Sequence, residues 1–160
     1  MKLIFSFIAA FVLLFQQSDL EMIRETYSTA NLSKQNSDKL AKAVENSSSS
    51  DFIFKGYKAA SEIVAAKFMK GPERKNAISS GIKSLESNIK ANPSSTELRL
   101  IRLSVQENLP KIVGYHKNMG EDKDYILKNY GQQNAALKKY IRNFAAGSKT
   151  MTAQEKNSLR

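Results

Sequence analysis

The stretch Asn92–Pro110, NPSSTELRLIRLSVQENLP, decides the fold. Asn92-Pro93 stops whatever precedes it, because the residue before a proline is pushed out of the α region. Ser94-Ser95 then offers a helix cap, and Glu97 falls in the first turn, where a carboxylate meets the positive end of the helix dipole. Leu98, Ile101, Val105, Leu109 and Ile112 repeat at three- and four-residue steps and form one face. Leu100 and Leu103 widen that face so far around the helix that it is expected to be central, packed on two sides. Pro110 predicts a kink or a break.

Upstream, the same periodicity returns segment after segment. Asp19 to about Asn31 carries Leu20, Ile23, Tyr27 and Ala30 on one face, with Ser18 and Glu21 spaced as a capping box. Gln35 to Glu45 follows with Leu40, Ala43 and Val44, and Asn46 with the four serines after it closes that helix. Ser50 or Asp51 caps a third helix, Phe52 to Met69, in which Ala59, Ala60, Ala65 and Ala66 allow a neighbour to come close. Gly71-Pro72 stops it and starts a fourth that runs to Ala91. Downstream, Gly114 and Gly120 bracket a loop with Tyr115 and His116. Helices are expected over Glu121 to about Tyr130 and over Gln132 to Ala146, and Thr152 to Glu155 opens a short terminal one. No stretch alternates long enough to make a strand. The expectation is an all-α chain of about seven helices and a short terminal helix or tail over 148–160, with two- to six-residue connections that force antiparallel neighbours.

The first eighteen residues read differently. Met1-Lys2 is followed by an apolar run from Leu3 to Phe15, broken only by Ser6, and then by Gln16-Gln17-Ser18-Asp19. Thirteen residues make about 20 Å of helix, short of a hydrocarbon core of about 30 Å. A charged start, a short greasy run and a polar exit describe a secretory signal peptide over 1–18, ahead of a single helical domain over 19–147. The expected location is therefore exported, periplasmic or secreted.

Composition narrows the chemistry. The chain has 160 residues, enough for one domain with its own core, and no cysteine, which excludes disulfides, thiol nucleophiles, zinc ribbons, iron–sulfur clusters and a lipidated cysteine. One histidine, His116, leaves no histidine-rich metal site. Glu121, Asp122 and Asp124 lack the spacing of a calcium loop and suit a helix N-terminus instead. There is no phosphate loop, dinucleotide fingerprint or metalloprotease motif. We expect no cofactor, no metal and no enzymatic activity; a hydrolase or lyase would need Glu107, His116 and Tyr115 to converge on one point. The net charge is +10, but the lysines are scattered and only Lys138-Lys139 are adjacent, so nucleic acid is not the expected partner. A diffuse positive field also suits weak, salt-screened association with an anionic envelope surface.

The spacing of Ala77, Gly81, Leu85, Ile89, Asn92-Pro93 and Glu97, with Phe54, Gly56 and Tyr57 before it, resembles one degenerate tetratricopeptide hairpin over residues 52–93. No second copy stands 34 residues away. More broadly, the leader, Tyr57, Asn92-Pro93, Glu97, Arg99, Arg102, Gln106, Glu107, Asn108, Pro110, Gly114, Tyr115, Asp122 and Lys123 resemble small exported proteins of Bacteroidetes-type bacteria that are themselves similar to tetratricopeptide proteins. That resemblance implies an envelope location and helical hairpins, and it carries no reaction and no catalytic residue. The expected work is binding a protein or peptide in a groove between hairpins.

Arg99, Arg102 and Gln106 lie along one polar strip of the fifth helix. Two arrangements satisfy them. Either their forked guanidinium groups receive a carboxylate or phosphate of a partner, with Tyr57 and Tyr115 as neighbours, or they pair with Glu97, Glu107 or Asp122 and fasten adjacent helices together.

Overall fold

The computed structural model describes residues 19–47 and 51–159. The expected leader, its Ser18 cap and most of the serine run lie outside them. The described residues form eight α-helices and no strand: α1 (19–29), α2 (Lys34–Asn46), α3 (Phe52–Ala65), α4 (Gly71–Ala91), α5 (Thr96–Asn108), α6 (Met119–Asn129), α7 (Ala135–Gly147) and α8 (Ala153–Ser158). None of them is long and apolar enough to cross a membrane.

Side-chain caps set most of the starts. Ser33, Asp51, Ser95 and Asn134 each accept a backbone N–H of their own first turn. Thr152 and Glu155 close a reciprocal capping box on α8. The third helix stops earlier than its apolar pattern suggests: α3 ends at Ala65 and tightens into a 3₁₀ turn, Ala66–Phe68. The Arg74 side chain holds that turn, its Nε donating to the carbonyls of Met69 (2.8 Å) and Ala66 (3.1 Å). Pro110 breaks α5 outright. The helix ends at Asn108, and Ile112, expected on its apolar face, sits in a 3₁₀ turn with 96% of its surface exposed.

Gly81 lets α3 and α4 close on each other, and Gly56 lets α5 approach α3. A Cβ on Gly81 of α4 would stand 2.6 Å from Ile63 Cγ1 and 2.8 Å from the Ala59 carbonyl of α3, and one on Gly56 would run into Leu98 of α5. Asn88 donates to the Phe52 carbonyl at 2.6 Å, so α3 and α4 run antiparallel. Tyr125 reaches the Ser94 carbonyl at 3.1 Å, while Arg99 meets Glu121 at 2.8 Å, which makes α5 and α6 a second antiparallel pair. α3 and α5 lie side by side in parallel, with Tyr57 against Glu97.

α5 belongs to both halves of the interior, as its wide apolar girth requires. Leu98, Ile101 and Val105 join Ile23, Leu40, Tyr57, Leu85 and Ile89 in one cluster. Leu100 and Leu103 join Ile126, Leu137, Ile141, Met151 and Leu159 in the other. Each fully buried leucine or isoleucine contributes about 1.5–3 kcal/mol. The C-terminal segment is part of this second core: Met151 and Leu159 are buried, and Tyr130 Oη donates to the Leu159 carbonyl at 2.7 Å.

Candidate interaction groove

The polar strip of α5 turns toward α4 and α6. Arg102 is buried and forks onto Asp122 of α6, Nε to Oδ2 at 2.6 Å and Nη2 to Oδ1 at 2.7 Å, while its Nη1 reaches Glu86 of α4 at 3.0 Å. Arg99 adds Nη1 to Asp122 at 3.1 Å and to Glu121 at 2.8 Å, and its guanidinium lies 4.3 Å from the Tyr125 ring centre. Tyr115 donates its hydroxyl to Glu86. Burial alone would lower the Arg102 pKa, but hydrogen bonds and charge from Asp122 and Glu86 outweigh it and hold the pKa above its ordinary value. Burial, then the hydrogen bond to Glu86, pushes that of Tyr115 up. The guanidinium donors of Arg99 and Arg102 are thus taken up inside the chain, the second of the two arrangements the sequence leaves open. Of the acids expected to serve them only Asp122 does so. Gln106, the third member of the strip, is fully buried, and neither its amide nitrogen nor its oxygen meets a protein partner.

Glu107, His116 and Tyr115 are each committed elsewhere. Glu107 Oε1 accepts from Ser148 Oγ at 2.5 Å and Thr150 N at 3.0 Å, pinning the turn between α7 and α8. His116 Nε2 lies 3.1 Å from the Leu109 carbonyl, and Tyr115 faces Glu86. Among the described residues no group of three His, Cys, Asp or Glu side chains could hold a metal ion.

A large concave feature lies on the opposite side of α5. A groove of about 930 Å³ runs along α3, α5 and α7, with α1 as one wall. Its floor is apolar, with Ile63, Val64, Val105, Leu109, Tyr140 and Phe144. Lys67, Lys139 and Lys149 stand around it, with Glu21 and Glu25 on the α1 side. Where α1 packs against α3 and α5, Arg24 Nε and Nη2 donate to Glu97 Oε1 and Oε2 at 2.7 and 2.6 Å, and Tyr57 Oη donates to Glu97 Oε1 at 2.9 Å. Arg24 lies 5.8 Å from the Tyr140 ring centre. Tyr27 meets Tyr57 edge-on, centroids 5.5 Å apart, and donates to Ser104 Oγ at 3.2 Å. Burial works against the charge on Arg24, and Glu97 more than compensates, so the Arg24 pKa is raised. Burial also lifts Tyr57 and Tyr140 well above the phenol range and Tyr27 to about 12.

Of the five residues expected to bind a partner, only Tyr57 reaches this side, beneath α1. Glu97 stands in the first turn of α5, as expected, and also anchors α1. Arg24 escapes the sequence reading because it sits beside the apolar stripe of its helix; the available signal was a cation flanked by Ile23 and Tyr27 and an acid flanking the equally apolar stripe of α5. No known protein family, curated protein or solved structure matches the chain.

Proposed function

We propose that the chain is an exported, non-enzymatic interaction module that holds a peptide or helical segment of another protein in the groove along α3, α5 and α7. The groove carries this reading: about 930 Å³ of concave surface with an apolar floor and a polar rim suits an amphipathic segment laid lengthwise. Export rests on the charged start, apolar run and polar exit of residues 1–18. The antiparallel α3/α4 and α5/α6 pairs, with α3 beside α5, support an irregular tetratricopeptide-like stack, in which the inner helices of successive hairpins line a shared binding surface.

The test is site-specific photo-crosslinking in the envelope of the producing cell. Crosslinkers replacing exposed Ser28 and Asn143, on the two walls, should capture one common partner, and Lys139→Glu on the rim should diminish it. A crosslinker at exposed Lys90 of α4, outside the groove, should not capture it. Equal capture from Lys90, or none from the groove, contradicts the proposal.

A further inference from the structure

Two side chains of α1, one helical turn apart, are gripped by three other helices. Glu97 of α5 receives the Arg24 fork, Tyr57 of α3 donates to the same carboxylate, and Tyr140 of α7 stands beside the guanidinium. Tyr27 fits its ring against Tyr57 and its hydroxyl to Ser104. A buried carboxylate held by one phenol hydroxyl and flanked by a second phenol ring is the chemistry that selects a guanidinium: fork matches fork, and the Tyr140 ring lies beside the cation. All the receiving groups belong to α3, α5 and α7, and both received groups belong to α1.

We infer that the Glu97–Tyr57–Tyr140 site is the receptor for an arginine-bearing helix of the partner, and that α1 occupies it in cis until that helix displaces it. The inference rests on the interaction-module reading and names the partner's chemistry: an amphipathic helix with an arginine followed three residues later by a tyrosine. Removing Arg24 without a substitute strands the Glu97 charge, whereas an incoming arginine restores the same pair, so exchange avoids the large cost of a lone buried ion. The short connection 30–33 ties α1 to α2, and the open groove alongside α1 gives the incoming helix its first contact.

The test titrates a fluorescent peptide of residues 19–32 into three full chains: wild type, Arg24→Ala/Tyr27→Ala, and the latter with Glu97→Gln. The double variant should bind the peptide at least about tenfold more tightly than wild type, whose own α1 fills the site. Glu97→Gln, or Arg24→Ala in the peptide, should remove the gain. The inference is overturned by equal binding to wild type and double variant, by binding indifferent to Glu97, or by no binding to a double variant that keeps its helical circular dichroism. If the double variant loses that signal, Arg24→Ala alone is melted with and without methylguanidinium. The additive should raise the melting temperature of Arg24→Ala and leave wild type and Arg24→Ala/Glu97→Gln unmoved, and uniform behaviour of all three overturns the inference. Peptide binding without groove crosslinks in the cell removes the module reading alone; groove crosslinks without peptide binding remove the receptor alone.

Discussion

Replacing Asp122 by asparagine separates a fastening role for the arginine strip from a binding one. Asp122 is completely buried and takes three guanidinium bonds, two from Arg102 at 2.6 and 2.7 Å and one from Arg99 at 3.1 Å. Asp122→Asn would keep the volume, remove the charge and set amide hydrogens against guanidinium donors. Breaking a buried pair by removing one partner costs about 3–5 kcal/mol. Here Arg102 keeps Glu86 and Arg99 keeps Glu121, so the expected loss is near the lower end, about 3 kcal/mol. Against a total stability of about 5–15 kcal/mol for a domain this is a large fraction, visible as a shifted urea midpoint. Glu121→Gln is the internal control, because it touches the same Arg99 from a side chain 60% exposed. Its cost should be under about 1 kcal/mol. Equal costs for the two variants, or a loss below about 1 kcal/mol for Asp122→Asn, would refute the fastening role.

Gly81→Ala should destabilise by about 1–3 kcal/mol by urea unfolding, because the added methyl meets the Ala59 carbonyl at 2.8 Å, whereas Gly120→Ala, with nothing within 4 Å, should be neutral or stabilising. Gln106→Leu should cost nothing or stabilise, since it removes two buried polar atoms without protein partners; a loss above about 1 kcal/mol would show that those atoms are satisfied. Tyr27, Tyr57, Tyr115 and Tyr140 have raised native pKa values, so their contribution is complete below the unfolded phenol value near 10 and falls as pH rises through the native values, Tyr27 at about 12. Absorbance at 295 nm should therefore show these four ionising late, together with the loss of helical dichroism, and early ionisation of all four would contradict their burial. Capture of the groove partner should survive about 1 M salt, where screening reaches about 3 Å; a complete loss would favour charge-driven adhesion to an anionic envelope surface.

The apolar periodicity of α5 made its central position legible, because a helix greasy on two sides has to be packed on two sides. Asn92-Pro93 and Pro110 marked real ends and Gly71-Pro72 a real start, since proline acts through local sterics. Boundaries set by side-chain reach were not legible: α3 stops at Ala65, and Arg74 in the first turn of α4 reaches back to satisfy the carbonyls of the 3₁₀ turn that follows. The same distinction governs the site. The composition of the polar strip was visible, but the side of α5 that would be lined by α4 and α6 was not, so the strip pairs inward while the groove opens behind it. Arg24 and Glu97 are 73 residues apart, and neither chain segment alone discloses that one is the other's counter-ion.

The most direct test of the placement of α1 on the α3, α5 and α7 face is a double-mutant cycle on that pair, using Arg24→Ala, Glu97→Ala and the double variant in urea unfolding. A bidentate buried pair in contact should give a coupling energy of about 2 kcal/mol, with the double variant more stable than the sum of the single losses. Strict additivity, a coupling below about 0.5 kcal/mol, would mean that α1 does not lie there.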